Sequence, residues 1–114
     1  MSRFLKLVLF SFYLLLACNS DSHIINLLNS KKTSEVMLGC YKAGESRDKK
    51  YVQLLLKNAN DPRVSTHINF KGISVYEAKM IALKKIYNKK PQKPITWNPD
   101  STIIKFYTRL AIGS

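Results

Sequence analysis

Carboxylates, histidines and glycines are all scarce in this chain, and each scarcity closes off a class of chemistry. Seven Asp and Glu residues stand singly along 114 positions, and the two histidines, His23 and His67, lie far apart. A zinc centre needs three or four donors gathered at one point, so no metal is expected. The four glycines are isolated and read as helix ends, which leaves no glycine-rich loop to cradle phosphate. No Gly-x-Ser-x-Gly elbow marks a serine nucleophile. The expectation is a non-enzyme without a cofactor. Long apolar runs are missing too. The longest, residues 5–16, is far short of the ~20 residues a membrane-spanning helix needs. Two cysteines, Cys18 and Cys40, are too few for a disulfide framework.

What is abundant is positive charge: 19 Lys and Arg give a net charge of +12. The lysines are scattered, so the surface reads as soluble and attracted to anionic lipid. A salt-sensitive nucleic-acid binder is the competing reading of such an excess, but no nucleic acid is expected for an exported chain.

The amino terminus supplies the reason to expect export. Arg3 and Lys6 form a short basic region, Leu5 to Leu16 is nearly all apolar, and the stretch ends in Leu15-Leu16-Ala17-Cys18, the order of a secretory signal. That ending resembles the bacterial lipobox, although Leu16 is larger than the small residue usual there. The resemblance implies a lipoprotein: residues 1–17 removed, Cys18 acylated, 18–22 a lipidated tether, and 23–114 a single helical domain. It also implies a cell-envelope location on a lipid anchor, and Asn19 after the cysteine favours the outer membrane. Acylated Cys18 would leave Cys40 unpaired as a small core hydrophobe; a Cys18–Cys40 bridge is the alternative.

Beyond the tether the apolar spacing is helical almost throughout. Ile24, Ile25, Leu27 and Leu28 form a short helix stopped near Asn29-Ser30. Thr33 or Ser34 caps a second, carrying Val36, Met37, Cys40 and Tyr41 and ended by Gly44. Asp48 caps a third through Tyr51, Val52, Leu54, Leu55 and Leu56, which closes at Asn58-Ala59-Asn60-Asp61-Pro62, where Pro62 prevents continuation. Residues 63–72 read as a loop. Ser74 and Glu77 have capping-box spacing and open a helix to about Asn88. Its arc of Val75, Tyr76, Met80, Ala82, Leu83, Ile86 and Tyr87 faces the core. Residues 89–94 form a basic, proline-broken connector. Asn98-Pro99 or Asp100 starts a final helix through Ile103, Ile104, Phe106, Tyr107 and Leu110.

Two segments echo each other: Ile24…Leu27-Leu28-Asn29-Ser30 and Val52…Leu55-Leu56-Lys57-Asn58. Each precedes a helix with a small residue beside an apolar one, Gly39-Cys40 and Ala82-Leu83. Across residues 24–88 this register resembles the short HEAT-like repeats of the phycobilisome-lyase type, carried by residues 54–64 and by Ala78…Ala82-Leu83…Ile86. The resemblance implies an all-α chain, a short stack of two helical hairpins plus a C-terminal helix. The second unit departs from the pattern by an insertion, essentially residues 63–73.

Helical stacks present surfaces, so the expected role is a membrane-anchored scaffold or adaptor that binds an envelope protein. Arg63, His67, Phe70 and Lys71 of the insertion, with Lys79, are the expected contact residues. For Lys79 the other account is snorkelling, with a buried stem and an ammonium in water; for Ile68 and Phe70 it is folding back to plug the core. Trp97 either caps the core or sits at a bilayer or partner contact. Two alternatives fit the same features: an immunity or inhibitor lipoprotein against an acidic toxin, and a small envelope hydrolase with His67 as base near Asp61.

Overall fold

The computed structural model describes residues 21–66, 68, 70 and 72–113. Cys18, His67 and Lys71 lie outside them, as does the proposed leader. The chain is all-α. In order it forms α1 (residues 21–28), α2 (Thr33–Ser46), a 3-10 turn (Lys49–Tyr51) running into α3 (Val52–Leu56), α4 (Val75–Tyr87) and α5 (Ser101–Gly113). Among the described residues the only extended pairing is an isolated bridge between Val64 and Ser74.

Local chemistry explains most boundaries. Asp48 accepts from the Lys50 amide at the 3-10 turn, and Asp100 accepts from the Thr102 amide where α5 begins, both as expected of cap residues. At α4 the Ser74 hydroxyl accepts from the Glu77 amide at 3.0 Å. Burial pushes the pKa of the Glu77 carboxyl up. Two more free donors of that helix start are satisfied from the start of the insertion and the residues just before it: Val75 N–H donates to Arg63 O and Tyr76 N–H to Asp61 O.

Several expected boundaries move. Asp21 and Ser22, expected in the tether, are already helical. Lys32, not Thr33 or Ser34, holds the N-cap position of α2, and no side chain caps it. Gly44 does not end α2; the helix continues to Ser46 and closes on Arg47 in the left-handed region. Nor are Gly39 and Gly44 helix ends. A methyl at Gly39 would lie 3.0 Å from the Leu28 amide nitrogen, and one at Gly44 would lie 3.1 Å from Ala82 Cα. They are places where backbones approach. The third helix closes slightly before the expected Asn58–Pro62 stretch: α3 ends at Leu56, six residues before Pro62, with Asn58 at φ 50°.

The core is one cluster. Met37, Cys40, Leu55, Tyr76, Met80 and Leu83 are buried at its centre, and α5 contributes Ile103 and Tyr107. The main helix pair is α2 against α4. Cys40 behaves as the expected hydrophobe, burial pushing its thiol up to about 12, so it is inert at neutral pH.

Candidate functional site

The insertion is built as a brace across the two hairpins. The Asp61 carboxylate accepts from Arg63 Nε and, at 2.8 Å, from Arg63 Nη2, while Arg63 Nη1 donates to Lys31 O at 2.9 Å. One guanidinium thus ties the start of the insertion to the α1–α2 turn. Burial raises the Asp61 pKa, but the Arg63 hydrogen bonds outweigh it and hold the carboxyl below its usual value.

Lys79 is not a snorkelling lysine. It is only 5% exposed, and its ammonium donates to Lys57 O at 2.7 Å, with Asn58 O at 3.4 Å. These carbonyls follow the last residue of α3, where helix carbonyls lack intrahelical partners and a cation is favourable. Desolvation lowers the Lys79 pKa. Together Arg63, Asp61 and Lys79 line a polar cavity of about 140 Å³ with Asn29, Ser30, Lys57 and Asn58. Two of the five expected contact residues therefore meet there, each engaged by its own chain.

Phe70 lies elsewhere. It is half-buried, packs on the core cluster, and borders an apolar pocket of about 130 Å³ between α2 and α4. Met37, Cys40, Gly44, Ile81 and Ala82 form its walls, and Ile73 joins Phe70 at the edge. At its mouth Tyr41 is 54% exposed, with the Lys85 ammonium 5.3 Å from its ring centroid. Glu45 holds that ammonium at 2.7 Å from the other direction. Ile68, by contrast, is 87% exposed, so among the described residues the insertion packs on the core through Phe70 and Ile73 and not through Ile68.

Sequence reasoning passed over Tyr41 as a surface residue because its helical spacing counted it as core. It also passed over Ser46 and Lys49, whose spacing matches a serine–lysine nucleophile pair. In the structure Ser46 Oγ donates to Ala43 O and accepts from the Asp48 amide, and Lys49 sits over the Tyr87 ring. That serine ends a helix. Among the described residues no three His, Cys, Asp or Glu side chains converge to hold a metal ion. Asp61, the carboxylate considered beside His67, is occupied by Arg63.

The pocket has the means to hold an apolar group and fix its approach, with an aromatic and a cation at the rim. No protein-family model, curated protein or solved structure matches the chain.

Proposed function

We propose that this chain is a membrane-anchored envelope lipoprotein whose helical domain is a small protein-binding module. The observation that carries the binding part is the apolar pocket between α2 and α4, bordered by Phe70 and flanked by exposed Tyr41 and by Lys85. Protein interfaces concentrate their energy in pockets of this kind, where a large side chain enters a desolvated cleft ringed by aromatic and cationic groups. Phe70, Tyr41 and Lys85 are the proposed contacts, with His67 and Lys71 beside them in sequence. Arg63 and Lys79 position the insertion that carries Phe70.

The anchor part rests on Leu15-Leu16-Ala17-Cys18 and the apolar run before it. Among the described residues no helix is long and apolar enough to cross a membrane. The HEAT-like reading draws support from the pairing of α2 with α4, the second helices of the two units, since stacked repeats pack equivalent helices together.

The test uses the full chain in bacterial membranes. Metabolic palmitate labelling should be lost in Cys18→Ala. A photo-crosslinking residue at Tyr41 should give one discrete envelope adduct, which Ala82→Trp, by filling the pocket, removes. Labelling without a Tyr41 adduct would overturn the binding module and leave the anchor standing.

A further inference from the structure

The carboxylates of this protein are nearly all engaged, which leaves most of its basic side chains without an ion pair among the described residues, several of them in the connector and on α5. Asp21 and Asp48 meet Lys50, Glu35 meets Lys32, Asp61 meets Arg63, Glu45 meets Lys85 and Asp100 meets Lys93. Glu77, the remaining acid, has no ion pair among the described residues, and burial pushes its pKa up. Lys89, Lys90, Lys105 and Arg109 have no ion pair among the described residues. All four lie in the connector after α4 or on α5. The one acid of that flank, Asp100, is turned to the start of α5 through Thr102 and stands 3.8 Å from Lys93.

The same flank exposes two large apolar side chains. Trp97 is 59% exposed and Ile112 is 80% exposed. Ile112 follows Arg109 by three positions and so shares its side of α5. Lys93 and Arg109 face one crevice of about 400 Å³ between connector and helix, with Phe106 in its wall. The connector is held in place: Tyr107 Oη donates to Lys89 O at 2.9 Å and Ser74 Oγ donates to Trp97 O at 2.6 Å. Trp97 is presented outward on a fixed backbone.

An exposed amphipathic aromatic ring on a flank rich in cations, only one of them (Lys93) near an acid, is the composition of a bilayer interface, with the ring at headgroup level and cations at the phosphates. The geometry points to this flank, Trp97 and Ile112 with Lys89, Lys90, Lys93 and Arg109, as a contact surface for an anionic membrane, its crevice facing the headgroups. The inference rests on the membrane-anchored reading, because the anchor is what brings a bilayer within reach. A lipid chain with a basic patch forms a two-signal attachment. The arrangement also leaves the pocket accessible. Ala78, Ile81, Ala82 and Lys85 occupy one side of α4, whereas Tyr87, stacked on Tyr107 of α5, occupies the other.

Trp97 is the sole tryptophan of the chain, so its fluorescence reports this surface alone. The full chain is reconstituted into vesicles of phosphatidylcholine, with or without phosphatidylglycerol, and flotation measures anchoring independently. With phosphatidylglycerol, Trp97 emission should move to shorter wavelength and be quenched by brominated acyl chains at least threefold more than in phosphatidylcholine alone. The double variant Lys93→Glu/Arg109→Glu should lose that difference, and the milder Lys93→Gln/Arg109→Gln about half of it, with circular dichroism unchanged. If the chain floats with both vesicles while Trp97 stays open to aqueous iodide in each, the surface is overturned and the anchor stands. If the chain floats with neither, both readings fall.

Discussion

The two hairpins of this fold solve one packing problem by different means. The first, α1 and α2, has a four-residue connection and closes by bare backbone contact: Gly39 lets α2 approach the Leu28 amide of α1. The second, α3 and α4, is joined through residues 57–74 and uses a polar framework instead. Lys79 holds the end of α3, Arg63 and Asp61 brace the long connection, and Ser74 starts α4. A short loop leaves few conformations to suppress, so a glycine suffices. A long one has more freedom to lose, and each hydrogen bond removes some of it.

That contrast can be broken from either side. The largest effect is expected from Gly39→Val, which forces a branched side chain against backbone in the first hairpin. It should cost ~3 kcal/mol, read as a lower denaturant midpoint with an unchanged slope. Lys79→Ala comes next. It empties a buried site and leaves the Lys57 carbonyl without its donor, at ~2 kcal/mol. Because burial depresses the Lys79 pKa, the unfolded chain binds more protons than the native one just below pH 10.5. Native stability should therefore carry an upward contribution as pH rises into that window, and Lys79→Met should lack it.

Ser74→Ala should cost ~1 kcal/mol, the usual value of an N-cap, with no change in the first hairpin. Asp61→Asn should cost about 1 kcal/mol at neutral pH and progressively less in acid. The native Asp61 pKa lies below its usual 3.8, so its contribution is complete above that value and is lost as pH falls through the native pKa. Thermal melts of wild type and Asp61→Asn should therefore converge at low pH. If the Ser74 and Asp61 variants weaken both hairpins equally, the two are one unit and the contrast fails.

The same contrast separates what was legible in the sequence. Ser74, Asp48 and Asp100 announced their helices because a cap acts on amides two or three residues away, within the reach of a sequence pattern. Gly44 misled because glycine marks helix ends and helix contacts alike, and only the position of Ala82 decides between them. The close of α3 near Asn58 was legible as a run of turn residues before Pro62, although the positive φ of Asn58 itself leaves no trace in a spacing rule. The engagement of Lys79 is tertiary: its carbonyl partners lie more than twenty positions upstream. For the candidate site, Phe70 could be singled out as an aromatic in an irregular segment. The pocket could not, since it depends on the register of α2 against α4.

Ser74 is a single hydroxyl serving two masters in the chain: it receives the Glu77 amide and donates to the Trp97 carbonyl. Helix initiation and connector placement therefore share one atom. A local opening that frays the first turn of α4 must also release the backbone that presents Trp97. Amide exchange at Glu77 and the spectral environment of the indole should then report the same opening, so a change felt at Trp97 has a short covalent and hydrogen-bonded route to the helix that lines the pocket.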